Sequence, residues 1–135
     1  MIQDWKQILF DIYTPDIGTL LAAPNNIWTN SFAANKAEKG HHPAVIGRVS
    51  SCKTNCNIVP GTTKAYKTGC CVYKVKIDPN DPECPLTHFL IDFWMTFSKS
   101  DLMKLKKGWN GISILNVDQL KDFKQQIKFC KGIDV

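Results

Sequence analysis

The sequence lacks the short motifs that identify many enzymes. Its 135 residues contain no Walker loop, no G-x-S-x-G, no H-E-x-x-H and no C-x-x-C pair. Its apolar runs also fall far short of the roughly 20 residues that cross a bilayer. These absences argue against a P-loop enzyme, an α/β-hydrolase, a zincin and a membrane-spanning protein.

An export signal is missing as well, because residues 1–6 show no basic region followed by an apolar core. This predicts a cytoplasmic protein, in which the six cysteines are expected to be reduced. The cysteine spacings are not those of a zinc knuckle. A metal site drawing on Cys52, Cys56, His41 and His42 is an alternative, but we expect no metal and no other cofactor.

Arginine is scarce in the chain, and acidic residues are scarce between residues 36 and 76. Sixteen of the 17 basic side chains are lysines, whereas phosphate-binding proteins often favour the arginine fork. Between residues 36 and 76, eight basic residues stand against one acid, Glu38. This excess predicts a nucleic acid or an acidic protein as partner. The alternative is a solvated, lysine-rich surface with no partner.

The remaining composition and its pattern predict the fold. With 44% hydrophobic residues the chain can bury a core, and its length fits one domain, 1–135. The pattern divides this domain into an N-terminal helix (1–14), a set of short strands (15–98) and a helical C-terminal part (99–135). The predicted fold class is therefore mainly β (α+β), a small, strongly bent antiparallel sheet or barrel with helices at both ends.

Residues 40–64 read as two buried strands joined by a basic turn, with a polar cluster before the first strand and another after the second. If the strands pair as a hairpin, both clusters lie at its same end. Pro43 restricts His42 to extended geometry, and an imidazole there could act as acid or base. Thr62 could hydrogen-bond a phosphate oxygen, and Lys64 could stabilise developing charge. The alternative is two ordinary solvated turns.

A single acid, Asp92, interrupts the apolar segment 86–97, which is predicted to be one long strand. A buried, unpaired carboxylate is costly, so Asp92 is expected to face outward, to be paired or to belong to a site. Ser98 is predicted to cap a short helix over 102–107. Asn116 is predicted to cap a final helix that ends before Gly132.

Several of these segments together resemble the MazF/PemK family of bacterial type II toxins. The strongest likeness lies in Gly-His-His-Pro-Ala-Val-Ile (40–46) and in Asn-Ile-Val-Pro-Gly-Thr-Thr-Lys (57–64). Pro-Asp-Ile-Gly (15–18) resembles the opening of the family's first strand, and Ile-Asp (91–92) falls in a strand where the family has a functional Asp. The resemblance covers roughly residues 15–98.

This resemblance implies an SH3-like barrel, usually a homodimer, that a cognate antitoxin inhibits. It implies metal-independent cleavage of single-stranded RNA, in which the 2′-hydroxyl attacks the neighbouring phosphorus and leaves a 2′,3′-cyclic phosphate. By position, Thr62 and Asp92 match catalytic residues of the family. His42 stands where the family has Arg.

The sequence thus predicts a catalytic set of His42, Thr62 and Asp92. The residues expected to bind RNA are His41, Arg48, Lys53, Thr63, Lys64 and Lys67. Two other functions are compatible with the same barrel. One is a non-catalytic module that binds nucleic acid or protein through the basic segment, and the other is inhibition of a protein target such as a topoisomerase.

Overall fold

The structure of the protein, a computed structural model, describes residues 16–29, 40–64 and 71–135. The predicted N-terminal helix (1–14) lies outside these residues. The described strands are β1 (Leu20–Pro24), β2 (His41–Val49), β3 (Asn55–Thr62), β4 (Val72–Lys76), β5 (Leu86–Leu90), β6 (Met95–Ser98) and β7 (Lys106–Lys107). The described α-helices are α1 (Lys99–Leu102) and α2 (Val117–Lys131). None of the helices in these ranges is long and apolar enough to cross a membrane.

The described strands form one antiparallel sheet in the order β4-β5-β3-β2-β1-β7, and β6 also pairs with β3. The predicted mainly-β class is therefore confirmed. The sheet is not closed among the described strands, since β4 and β7 are the two ends of this order.

The predicted hairpin of residues 40–64 is confirmed. Strands β2 and β3 pair from Ala44–Pro60 to Val49–Cys56, as expected for runs rich in β-branched and apolar residues. The turn between them closes with Lys53 in the left-handed region at φ 59°. The start of β2 and the end of β3 consequently lie at the same end of the hairpin.

The sheet separates two hydrophobic clusters, because neighbouring residues of a strand point to opposite faces. On the face that α2 covers, here called the α2 face, the cluster contains Leu20, Val45, Val59 and Phe89 from the strands, together with Phe123 and Ile127 from α2. The other, called the α1 face because Leu102 of α1 packs on it, carries Leu21, Ala44, Ile58, Leu90 and Trp28. Both faces are thus partly covered, and α1 and α2 lie on opposite sides of the sheet.

Close packing on the α2 face requires a glycine at position 61. A Cβ added to Gly61 would lie 2.7 Å from Cε1 and 2.8 Å from Cδ1 of Phe89, whose ring is fully buried. We therefore expect Gly61→Ala to lower the free energy of unfolding by about 1–3 kcal/mol, the usual cost of overpacking a core. Urea unfolding followed by tryptophan fluorescence measures this, and an unchanged midpoint would contradict it.

The segment 86–97 is not one strand, so this prediction is wrong. Gly61 pairs with Phe89, and Ile58 pairs with Met95. A separation of three positions along β3 therefore corresponds to six positions along the segment 86–97. The three additional residues form a 3₁₀ turn, Ile91–Phe93. Asp92 lies in this turn with 64% of its side chain exposed, which avoids the cost of burying a carboxylate.

The C-terminal part is less helical than predicted. Ser98 caps a helix as expected, but α1 ends at Leu102, and Lys106–Lys107 forms a strand that pairs with β1. The prediction of a helix over 102–107 is therefore wrong. Asn116 caps α2 in a capping box with Gln119, and Gly132 ends the helix at φ 70°, as predicted.

Candidate active site

His42 lies at the start of β2, where a side chain from the neighbouring strand orients it. Its Nδ1 is 2.5 Å from Oδ1 of Asn25, and Asn25 directly follows β1, which pairs with β2 at Ala23–His42. The side chain of Asn25 is buried, and its backbone N–H donates to Gly40 O at 2.8 Å. With Asn25 Oδ1 as acceptor, Nδ1 is the donor, so the neutral ring presents its lone pair at Nε2. A histidine in this tautomer accepts a proton at Nε2 rather than at Nδ1.

Thr62 ends β3 on the same end of the sheet. Its side chain is only 2% exposed, and its Oγ1 accepts a hydrogen bond from the backbone N–H of Lys64 at 3.2 Å. This hydrogen bond closes a local turn from Thr62 to Lys64, whose side chain is exposed. Because the Oγ1 acts as acceptor here, the Thr62 hydroxyl proton is available for a second bond in which it is the donor.

The two residues lie at the same end of the β2–β3 hairpin. The paired residues of these strands end at Ala44–Pro60, two residues short of His42 and Thr62. After Pro60, β3 leaves β2 and pairs instead with β5 at Gly61 and Thr62. Both polar clusters therefore lie at the same end of the hairpin, as predicted, where β3 has left β2 and pairs with β5 on its other edge.

His88 of β5 is a residue of this site that the sequence analysis missed. It pairs with Thr62 on one side and with Lys74 of β4 on the other. Leu90, two residues further along β5, packs on the α1 face, so the side chains of His88 and Thr62 lie on that face too. The one available signal was that His88 is the only ionisable residue in Leu86–Leu90, an otherwise apolar strand.

Asp92 makes its contacts on a different part of the molecule. Its Oδ1 is 3.6 Å from Nζ of Lys131 and 3.5 Å from Sγ of Cys130, both in α2. The Cys130 sulfur is part of a disulfide and has no hydrogen to donate, so the ion pair with Lys131 is the meaningful contact. Among the described residues, no hydrogen bond or ion pair joins Asp92 to Thr62.

The alternative metal site of two histidines and two cysteines is excluded by the hairpin. Cys52 lies in the β2–β3 turn and His41 at the far end of the nine-residue β2, which separates them by roughly 26 Å. One other group could hold an ion within the described ranges: ligand atoms of Cys71, Asp92 and Cys130 lie within 4.8 Å of one another. Cys71 and Cys130 form a disulfide, however, and a metal requires thiolates.

This disulfide also shows that the expectation of reduced cysteines is wrong for Cys71 and Cys130. The two Cα atoms are 4.8 Å apart, within the range of natural disulfides. The bond fastens the last turn of α2 to the residue before β4. It therefore braces the end of the sheet near Asp92.

The thiols of Cys52 and Cys56 differ in environment, which gives a chemical test of the hairpin. Cys52 is exposed, and hydrogen bonds from Thr54 (2.9 Å) and Ser50 (3.6 Å) lower its pKa to about 7. Burial raises the pKa of Cys56 to about 12. Because the thiolate is the nucleophile, iodoacetamide at pH 7 should label Cys52 well before Cys56, as read by peptide mass spectrometry. Thr54→Ala should slow labelling at Cys52, and equal labelling of both cysteines would contradict the hairpin.

The residues predicted to bind RNA fall into two groups. His41, Thr63 and Lys64 are exposed at the His42 end of the hairpin, whereas Arg48 and Lys53 are exposed at or near the opposite turn. The sixth, Lys67, lies outside the described residues. Half of the predicted binding set therefore lies at the His42 end of the hairpin, although the His41 side chain points to the opposite face of the sheet from that of His42.

The arrangement at this end of the sheet suits reactions at a phosphodiester. It combines an oriented imidazole, the buried Thr62 hydroxyl and the exposed Lys64 side chain. Comparison with models of known protein families gives no match, and comparison with curated proteins gives none either.

Proposed function

We propose that the protein is an endoribonuclease that cleaves single-stranded RNA without a metal ion, on an SH3-like barrel of the MazF/PemK kind. The observation that carries this proposal is the Asn25–His42 hydrogen bond, which lies at the end of the β2–β3 hairpin that also holds Thr62. An amide that fixes the imidazole tautomer prepares Nε2 to accept a proton, and the neighbouring hydroxyl and lysines supply donors for a phosphate.

The chemistry follows from these groups. His42 Nε2 takes the proton of the 2′-hydroxyl while O2′ bonds to phosphorus and the bond from phosphorus to O5′ breaks. The Thr62 hydroxyl donates to a non-bridging oxygen, and the Lys64 ammonium stabilises the added negative charge. The departing O5′ takes a proton from water, so the products are a 2′,3′-cyclic phosphate and a 5′-hydroxyl. In this scheme, His42 is a base at a position where the family uses a permanent cation, and Asp92 has a structural role.

The proposal extends to partners. Exposed basic side chains at the His42 end favour a polyanion, and the same charge suits an acidic antitoxin segment laid over the site. We include a homodimer in the proposal because the resembling toxins form one. The alternative function, a binding module without catalysis, needs only the basic surface and not the His42–Asn25 pair.

The proposal is tested by incubating the purified protein with a fluorescent single-stranded RNA in EDTA. We expect fragments with 2′,3′-cyclic phosphate ends and growth arrest when the protein is induced in bacteria. Intact RNA at micromolar protein would overturn the nuclease. Binding that weakens as salt rises, with no cleavage, would instead support the non-catalytic module.

A further inference from the structure

We propose that a cavity beside β7 binds a nucleotide, with the base stacked on Trp109 and the phosphate held by Lys106. Both residues line this cavity, which has a volume of about 380 Å³. Sites for small molecules usually measure roughly 300–1,000 Å³. The cavity is thus large enough for one nucleotide, and its lysines lie outside the basic segment 36–76.

The cavity is separate from the candidate active site. Lys106 pairs with Ala22, and both line the cavity together with Trp109, which packs on the α2 face. His42 pairs with Ala23, which belongs to the α1 face. Because directly opposed residues share a face of the sheet, the two sites lie on opposite faces. The inference therefore goes beyond the proposed function and does not depend on it.

The backbone around Trp109 holds its ring in place before any ligand binds. Hydrogen bonds between Trp109 and Ile112 run in both directions, at 2.9 and 3.0 Å. They close a two-residue turn in which Asn110 and Gly111 have φ values of 51° and 81°, as in the type I′ turn that Asn-Gly favours. The indole is also half-buried against the α2-face cluster. A ring fixed in this way can stack on a base with little loss of side-chain entropy.

The polar groups of the cavity favour an anion. Lysine ammonium groups and the indole N–H can only donate hydrogen bonds, and none of the described lining residues is acidic. Among the described residues, no carboxylate pairs with Lys106 or Lys107, whereas Lys104 lies 3.9 Å from Asp101. The ligand is therefore expected to bring negative charge and hydrogen-bond acceptors.

A nucleotide combines this charge with a flat ring for Trp109. Stacking accepts any base, because every base has a π-face, and a lysine binds phosphate as a point charge. A free nucleotide and one unit of a single-stranded nucleic acid share this chemistry, so the experiment compares the two.

The test follows the indole N–H signals of the wild-type protein by NMR. The four tryptophans give four such signals, and the one missing from Trp109→Phe belongs to Trp109. Adenosine 5′-monophosphate should shift this signal, and so should a single-stranded oligodeoxyadenylate, which has no 2′-hydroxyl and cannot be cut by the proposed nuclease. Adenosine, which lacks the phosphate, should bind about fivefold more weakly than its 5′-monophosphate, the scale of one exposed ion pair.

Two lysine variants provide a matched comparison. Lys106→Ala should raise the Kd of the nucleotide by about fivefold, again the scale of an exposed ion pair. Lys104→Ala removes the same charge from an exposed lysine that does not line the cavity, and it should leave the Kd unchanged.

Either ligand can support the proposal, and the tighter one names the source of the nucleotide. A Trp109 signal that neither ligand moves would overturn it, as would equal losses of affinity in Lys106→Ala and Lys104→Ala. Should Trp109→Phe fail to fold, calorimetric titration of the two lysine variants decides in the same way. If the wild type cleaves no RNA while a nucleotide still shifts the Trp109 signal, the nuclease is overturned and this site stands.

Discussion

Replacement of His42 by alanine is expected to lower the kcat of RNA cleavage by about a hundredfold or more, the usual contribution of a positioned general base. His42 Nδ1 is held by Asn25, so Nε2 is the atom that accepts the proton, and alanine provides no substitute. Single-turnover cleavage of a fluorescent RNA in EDTA measures the loss. His42→Ala should bind RNA nearly as well as the wild type, because the binding lysines are untouched.

The neighbouring histidine is the matched control. His41 precedes His42 in β2, is exposed, and points away from the α1 face because side chains alternate along a strand. As a binding residue, His41→Ala should raise KM with kcat largely kept, which is the signature of lost uniform binding. Equal losses of kcat in the two variants would contradict the assignment of His42 as the base.

Thr62 is tested in the same assay by a pair of replacements. Thr62→Val keeps the shape of the side chain and removes the hydroxyl, and we expect it to lower kcat by roughly a hundredfold, the scale for a lost transition-state donor. Thr62→Ser keeps the hydroxyl and should retain most of the activity. Wild-type rates in Thr62→Val would show that this hydroxyl serves only the turn to Lys64.

Loss of the disulfide between Cys71 and Cys130 is expected to lower the free energy of unfolding by about 4 kcal/mol. The two residues are 59 positions apart, and closing a loop of this length removes about that much chain entropy from the unfolded state. The double replacement Cys71→Ser, Cys130→Ser and reduction of the wild type should shift the urea midpoint by similar amounts. Cys52→Ser, at an exposed thiol that is not in a disulfide, is the control and should leave the midpoint in place.

Mass mapping of a digest without reductant must show a peptide pair joined through Cys71 and Cys130. Its absence, or a midpoint that reduction does not move, would contradict the brace between α2 and the start of β4.

Local features of the fold could be predicted from the sequence because nearby residues decide them. The β-branched run after Pro43 predicted β2, and the polar turn near Lys53 predicted a hairpin. Asn116 with Gln119, and Gly132 after them, predicted both ends of α2. Each depends on interactions within a few residues, such as a cap bonding the first turn of its own helix.

Predictions failed where a distant segment competes with local preference. The segment 86–97 has the composition of one strand, but a 3₁₀ turn lets Asp92 remain in water while the flanking strands both pair with β3. Likewise, Lys106–Lys107 forms a strand rather than part of the predicted helix. Its backbone groups pair with the edge of β1 that β2 does not occupy.

The sequence by itself determined that His42 and Thr62 share one end of a hairpin, since chain connectivity and strand pairing allow little else. Only the tertiary structure decided that Asn25 orients His42, that His88 stands beyond Thr62, and that Asp92 belongs with α2. These contacts join residues 17 to 39 positions apart through strand order and helix docking. Order and docking arise from burial of the two faces of the whole sheet, which no short stretch of sequence encodes.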